Sequence, residues 1–389
     1  MRFPEFHGEW EKCKLGDIAE FSTARISSVK LDCKNYVSTE NMLQDFQGVV
    51  EAKSVPNETN VISFTCGDIL ISNIRPYLKK VWKATFDGGC SSDVFVLQAT
   101  DTVAKDYLHY AVANDKFINY VMSGAKGVKM PRGDKNQMRT YQLSLPSIQE
   151  QYKIAKLLTL LDERIATQSK LIEKLESLIK GLEDNLLDNP LWKKTYLRSF
   201  MQFFSTNSLS WEQLSYEEGE IRNLHYGLIH GFLTRGINSA SLPMIKNEVI
   251  PKQYTLCQVG DVAFADASED TGEIAKSVEF VDTIEGDTIC GLHTIHGRDI
   301  KNRTVVGFKG FAFNSRYFHN QIKRLAQGTK VFSITANNLS SCYVYLPDLE
   351  TQKAIVNLLK TYEAKLLVSK RLLEHYEKQK QYLLRQMFI

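Results

Sequence analysis

The sequence predicts a mixed α+β protein: two globular α/β domains in a pseudo-two-fold repeat, each closed by a long helix, the two helices pairing antiparallel as a coiled coil. Three observations lead there: an internal repeat, two heptad seams, and short strand-like runs ahead of each seam. The repeat comes first. Gly127-Val128-Lys129 falls on Gly328-Thr329-Lys330 at a shift of 201 residues, and the same shift runs without a gap to the C-terminus. It carries Asn136 onto Asn337, Leu145-Pro146 onto Leu346-Pro347, Gln151 onto Gln352 and Leu182 onto Leu383. It also lays Trp10-Glu11 on Trp211-Glu212, whereas Gly67-Asp68 meets Gly260-Asp261 only at a shift of 193. The two copies are alike at their ends and different in the middle.

The helices follow from periodicity. Ile154, Leu158, Leu161, Ile165, Gln168, Ile172, Leu175, Ile179, Leu182 and Leu186 step by four and three throughout. Ile355, Leu359, Tyr362, Leu366, Ser369, Leu373, Tyr376, Lys380, Leu383 and Met387 repeat the pattern, which is a heptad seam. Pro146 and Pro347 stand just upstream, where they end a strand without interrupting a helix. About 37 residues at 1.5 Å rise give a rod of roughly 55 Å. Pairing is expected between Leu161, Ile165, Gln168 and Ile172 of one helix and Tyr362, Leu366, Ser369 and Leu373 of the other, with Gln168 and Ser369 meeting near the crossing. Leu157, Leu171 and Leu178 widen the apolar stripe enough to seat a second protein chain.

Ahead of the helices, Asp68–Ser72, Asp93–Leu97, Asp261–Phe264 and Cys342–Leu346 read as strands, and Tyr107–Met122 and Ser315–Ala326 as single amphipathic helices. The stretch 188–208 reads as the joint. The expected boundaries are a globular domain over 1–150, a spacer helix over 151–188, a second domain over 189–347 and a second spacer over 348–389.

Composition excludes several classes. With 389 residues, 43% hydrophobic and 24% charged, the chain is globular and long enough for two cores. A net charge of +3 excludes a polybasic protein. No apolar run spans a bilayer and the N-terminus carries no signal pattern, which suits a cytoplasmic protein. Seven scattered cysteines without a Cys-x-x-Cys pair indicate neither a disulfide framework nor a structural zinc site.

The small net charge hides a segregation. Between Lys116 and Gln149 stand Lys116, Lys126, Lys129, Arg132, Lys135 and Arg139 against the single acid Asp134. From Phe308 to Pro347 there is no acid, while Lys309, Arg316, Lys323, Arg324 and Lys330 are present. A third acid-free stretch, Ile69–Phe86, holds Arg75, Lys79, Lys80 and Lys83, with Tyr77 beside Arg75. Basic loops rich in glycine at the same place in both copies point to a polyanion surface, because glycine lets backbone approach a phosphate.

Catalytic motifs fail. There is no phosphate-binding Gly-Lys-Ser/Thr loop and no glycine-rich cofactor turn. Asp188-Asn189-Pro190-Leu191-Trp192 lacks the second proline of an amino-methyltransferase loop and lies at a helix end. Asp45 with Glu51-Ala52-Lys53 is a chance nuclease-like spacing. His293-Thr294-Ile295-His296 near Asp266, Glu269 and Asp270 suits a polar loop better than a metal centre. A binding protein without catalytic or metal residues is the reading, with a stand-alone methyltransferase or nuclease, or a coiled-coil RNA- or DNA-binding structural protein, as alternatives.

The chain resembles the specificity subunits of type I restriction-modification systems over essentially its whole length. The resemblance rests on the two-unit layout, on Leu145-Pro146-Ser147-Ile148-Gln149-Glu150-Gln151 and Leu346-Pro347-Asp348-Leu349-Glu350-Thr351-Gln352 leading into the seams, and on Gly67-Asp68-Ile69-Leu70 with Gly260-Asp261-Val262. Ser91-Ser92-Asp93-Val94-Phe95 and Gly291-Leu292-His293-Thr294 with Arg298 add to it. It implies two target-recognition domains, each reading half of a bipartite duplex DNA site, and helices that dock two methyltransferase subunits. S-adenosylmethionine, ATP and Mg²⁺ would then belong to methyltransferase and restriction partners, with no cofactor in this chain. The expected DNA-contacting residues are Arg75, Tyr77, Lys79, Lys80, Ser91, Ser92, Lys126, Lys129, Arg132, Lys135 and Asn136 in the first half. In the second they are Asp266, Ser268, His293, Arg298, Arg316, Lys323, Arg324 and Lys330.

Overall fold

Two long helices organise the computed structural model, which describes all residues but 1, 232–235, 283, 285 and 389. The first spans Ile148–Leu187 and the second Leu349–Met387, 40 and 39 residues. Each is divided between two compact units, Met1–Gln168 with Leu372–Ile389 and Ser169–Arg371. Among the described residues, no helix is long and apolar enough to cross a membrane.

In the first unit, Ala19–Phe21, Val94–Ala99, Ile69–Ser72 and Val81–Lys83 form an antiparallel four-stranded sheet in that order. A second sheet orders Arg25–Ser27, Asn60–Phe64, Gly88–Cys90 and Tyr36–Val37, the last pair parallel. The core sets Ile69, Ile71 and Leu97 against Tyr107, Leu108 and Phe117, and joins Ile154, Leu158 and Leu161 of the first long helix to Leu383 and Met387 of the second. With the Lys380 ammonium 2.6 Å from the Asp162 carboxylate, the start of one helix lies beside the end of the other. The pairing is antiparallel, and the carboxylate answers the one cation on the seam.

The second unit repeats the plan. Its five-stranded sheet runs Met201–Phe204, Thr294–Asp299, Val262–Ala265, Ser277–Phe280 and Gly236–Ile237. Its four-stranded sheet runs Leu214–Ser215, Met244–Ile245, Arg222–Leu224 and Thr288–Cys290. Leu187 shares a core with Ile355, Val356 and Leu359, and Lys370 pairs with Glu176 at 2.7 Å, so here too the helices run antiparallel. Gln168 and Ser369 are each buried within their helices.

A buried glutamine fixes each globular part to its helix. Gln151 Oε1 accepts from the Ala104 amide at 2.8 Å, and its Nε2 donates to the carbonyls of Pro146 (2.9 Å) and Thr102 (3.4 Å). Gln352 does the same with Val305, Pro347 and Arg303, each at 3.0 Å. The residues beside the glutamines differ. Glu150 is buried and receives Arg2 at 2.9 and 2.8 Å and the Trp10 indole at 3.2 Å. Thr351 is instead tied to Asp348, which caps the second helix at 2.9 Å.

Three sequence expectations are corrected. Tyr107–Met122 is two helices, Lys105–Val112 and Asp115–Ser123, because Asn114 turns the chain: its Oδ1 caps the Phe117 amide while its Nδ2 donates to the Tyr110 and Ala111 carbonyls. Stretch 188–208, read as the joint, carries two strands of the second unit, Lys193–Tyr196 and Met201–Phe204. Glu11 pairs with Leu145 and Lys193 with Leu346, so Trp10 corresponds to Trp192 and the match to Trp211 is accidental. By contrast, Ser315 caps the helix Arg316–Leu325 where the sequence placed a single helix.

Two outcomes follow from this architecture. Gln151→Leu keeps the volume but orphans a buried amide and two carbonyls, and should lower stability by about 2–4 kcal/mol in urea unfolding of the full chain. The exposed neighbour Gln149→Leu should change it by less than about 0.5 kcal/mol; equal effects would dismiss the clamp. His109 is an acid-sensitive group of the first unit. Burial, aided by Lys83 and Lys380, pushes its pKa down from 6.5 to about 4. The unfolded chain therefore takes up a proton that the folded one refuses, so stability should fall as pH drops from 6.5 to about 4 and then level. His109→Gln should flatten the unfolding midpoint across that window.

Candidate nucleic-acid interface

Three stretches of the first unit converge beyond the strand ends of its sheet. The Asn73 amide donates to the Asp93 carbonyl at 2.8 Å, and Asn73 in turn accepts from Gly133 at 3.0 Å. Arg75 donates its amide to Pro131 at 2.8 Å. Lys126 and Arg132 exchange both backbone hydrogen bonds, 3.0 and 2.9 Å, closing a hairpin-like loop over Gly127–Pro131. Gly127 sits at φ +98°, where a side chain would crowd the Met130 carbonyl at 3.1 Å. Val128, Lys129 and Met130 at the tip are exposed, Val128 completely (102%).

The second unit rebuilds this frame bond for bond. The Asp266 amide donates to the His293 carbonyl at 3.0 Å, and Asp266 accepts from Ile334 at 3.0 Å. Gln327 and Ser333 exchange both backbone bonds, 3.0 and 2.8 Å, and Ala267–Ser268 pairs with Phe332–Ser333. Gly328 is at φ +127°, where a Cβ would stand 2.0 Å from the Val331 carbonyl. Lys330 and Val331 are exposed at the tip. The backbone pattern is shared, while the side chains on it differ: Asn73 against Asp266, Asp93 against His293, Arg132 against Ser333.

The predicted residues divide accordingly. Arg75, Tyr77, Ser92, Lys126, Lys129, Arg132 and Asn136 are exposed on the first cluster, and Ser91 is half-buried beside it. Arg75 and Lys79 both adopt left-handed backbone, φ 50° and 54°, bracketing the turn Pro76–Leu78. Lys126 reaches Asp134 at 3.6 Å and Arg132 reaches Asp93 at 3.5 Å. Asp134 caps the helix Lys135–Arg139, and the Gln137 and Asn136 amides hold its carboxyl below the usual range. Lys135 lies over the rings of Phe95 (4.6 Å) and Phe21 (5.4 Å), and burial, then Arg139, lowers its pKa. Lys79 and Lys80 are held sideways. Lys79 pairs with Asp115 at 2.8 Å, and Lys80 donates to the Thr39 carbonyl at 2.6 Å, its pKa lowered by burial and by Arg75.

In the second unit, Asp266 and His293 face each other at 3.1 Å, with Ser268 beside them. Lys323 and Arg324 occupy the last turn of the helix that feeds the loop. Arg316 stands at the opposite end of that helix, 3.7 Å from Asp184, in a hollow of about 440 Å³ that Lys180 and Lys323 also line. Arg298 lies at the far end of its strand from His293 and grips Asp261 at 2.7 and 2.9 Å. Burial opposes the charge on Asp261, but the bonds from Arg298 and His296 outweigh it and hold its pKa down. Lys309, counted as surface charge from the sequence, is buried against Glu279 at 2.9 Å. His293 and His296 do not converge: His296 is buried and bonded to Asp261 at 2.7 Å. Sequence reasoning missed Asn73 and Asp93, whose signal is a polar residue at the end of a strand-like run.

Comparisons with known proteins identify the family. The family described as type I restriction modification DNA specificity domain matches residues 7–177 and 291–377. The type I restriction enzyme MjaVIII specificity subunit of Methanocaldococcus jannaschii is 23% identical over 97% of this chain and 93% of that protein. The EcoDI specificity subunit of Escherichia coli is 23% identical over 47% of this chain and 42% of its own. In fold, the chain is similar to a type I restriction-modification S subunit from M. genitalium, with a TM-score of 0.61 at 15% identity over 100% and 99% of the two chains. A chain from a structure of the type I system described for complex assembly and conformational transition gives 0.58 at 15% identity over 98% of each. The exposed loop clusters, the paired long helices and the family match lead to one conclusion: the chain belongs to the type I restriction-modification DNA specificity family, and is the DNA-recognition subunit of such a system, not its catalyst.

Proposed function

We propose that each unit reads one half of a bipartite, asymmetric duplex site through its loop cluster, and that the long helices dock two methyltransferase subunits to which restriction subunits add. One observation carries this reading: the same backbone frame recurs in both units with different side chains on it. A shared frame sets the approach to the duplex, and exchanged side chains set the sequence read. Lys126, Lys129, Arg132, Lys323, Arg324 and Lys330 suit phosphates, as exposed cations on or next to the loops. Asp266 does not, since a carboxylate is repelled by phosphate; paired with His293 it suits a base edge that donates a hydrogen bond. The left-handed backbone at Arg75 and Lys79 fits a turn shaped for contact. Leu171 and Leu372 are related by the repeat, and both are exposed on the long helices, at 42% and 38%. Equivalent apolar positions on the two helices support two like docking sites. S-adenosylmethionine, ATP and Mg²⁺ would be held by those partners.

Mapping methylated adenines in cells carrying this gene with its partner genes tests the whole reading: a two-part, asymmetric motif is expected, and a continuous motif or none would sink it. In the assembled complex, Lys129→Gln and Lys330→Gln should each reduce the log–log salt slope of DNA binding by about 0.9 without altering the motif. Unchanged slopes would remove both loops from the interface. His293→Ala should relax one position in one half-site by about 1–3 kcal/mol and leave the other half-site as it was. A change in both halves would show that the units do not read independently.

A further inference from the structure

Within the second unit, the structure assigns Cys257, Cys290 and His296 to a binding site for a thiophilic divalent cation, zinc above all. The three residues are buried, and their ligand atoms lie within 4.8 Å of one another. The sulfurs are 3.6 Å apart, close to the roughly 3.8 Å that tetrahedral geometry gives two thiolates at about 2.3 Å from zinc. They are too far apart for a disulfide, whose sulfurs stand about 2.05 Å from each other.

The surroundings are those of a metal histidine. The Nε2 of His296 is bonded to Asp261 at 2.7 Å, which leaves Nδ1 as the ligand atom and puts a carboxylate behind the ring. Asp261 is fixed in turn by Arg298 at 2.7 and 2.9 Å and by the Gln258 amide at 2.8 Å. With a divalent cation in place the charges close: two thiolates and Asp261 balance the ion and Arg298. A small cavity of about 40 Å³ borders Cys290 and His296 and is also lined by Ser205, Thr206, Asn207 and Tyr254. It has room for the water that would complete four-coordination.

The repeat supplies an internal control. Val37 pairs with Cys90 as Leu224 does with Cys290, and Leu70 pairs with Val96 as Ala263 does with His296. Leu256 opposes Ile289 at the register where Ser63 opposes Gly89, which puts Cys257 in the place of Phe64. The first unit therefore fills these three places with Phe64, Cys90 and Val96, all in one apolar cluster. The second unit keeps a thiol in the place of Cys90 and gives up Phe64 and Val96 for a second thiol and an imidazole, a costly exchange in a core unless something satisfies the added polar groups. Cys290 leads directly into Gly291–His293, so an ion here would brace the strand that presents His293 to the loop cluster.

Binding zinc displaces the two thiol protons to solvent, so affinity should rise with pH. The test uses the full chain purified with its partner subunits under reducing conditions. About one zinc per chain is expected by elemental analysis. Cobalt(II) replacing it should show the visible bands of a tetrahedral dithiolate site. Cys257→Ser and Cys290→Ser should lose both signals. The double variant Cys257→Phe, His296→Val rebuilds the filling of the first unit, and should fold without metal even if the serine variants do not. A chain that binds neither zinc nor cobalt overturns the assignment. So does full metal content in the variants, or a metal-free chain in which Cys257 and Cys290 are recovered as a disulfide.

Discussion

Each globular part depends on one buried side-chain amide. At the point where a proline-ended strand passes into a 40-residue helix, several backbone groups lie in the core without a regular ladder to satisfy them. Gln151 answers with one acceptor and two donors, and Gln352 does so at the matching place. No aliphatic residue could fill that role, since buried amides and carbonyls left unpaired cost more than the packing returns. The consequence is mechanical: the loop between the sheet and the helix is pinned, so the angle at which each sheet leaves its helix is fixed by bonds and not by flexible contacts.

A fixed frame permits variation on it. The loop clusters are held almost wholly by main-chain bonds, from Asn73 to Asp93 and Gly133, and from Asp266 to His293 and Ile334. Main-chain bonds are indifferent to the side chain, so residues at the tips and strand ends can change without loss of the scaffold. Glycine is the exception. Gly127 and Gly328 cannot be exchanged freely, because the positive φ and the carbonyl beneath leave no room for a Cβ. That is why the repeat stays visible at the glycines and fades between them.

The same logic explains what the sequence revealed. The heptad seams were legible because they bury one residue type at a fixed period: Ile154, Leu158, Leu161, Ile172 and Leu175 are all buried. The basic loops were legible because charge repulsion makes acid-free stretches uncommon. Other features were hidden for equally physical reasons. The break at Asn114 depends on a side chain bonding two carbonyls behind it, which composition does not show. Charge alone could not tell Lys309, sealed against Glu279, or Arg298, locked on Asp261, from cations that face solvent. Trp211 imitated Trp10 because a two-residue match lacks the context that the strand register supplies. Cys257 and Cys290 are thirty-three residues apart, and only the sheet brings them together.

The basic residues thus fall into two populations with opposite energetics. Buried pairs such as Lys309 with Glu279 are retained because breaking one leaves an unpaired charge in the core, although the intact pair adds little. Exposed cations such as Lys129 and Lys330 contribute almost nothing to folding and repel their neighbours at low ionic strength. A folded chain has no internal reason to place them on a glycine loop at the same position in both units. The proposed polyanion contact would supply the reason, since it turns that repulsion into attraction through the release of condensed counterions. The near-neutral total then follows as well. Acids placed elsewhere bring the total to +3, so that under the proposed reading the attraction to nucleic acid would be confined to the two loop clusters.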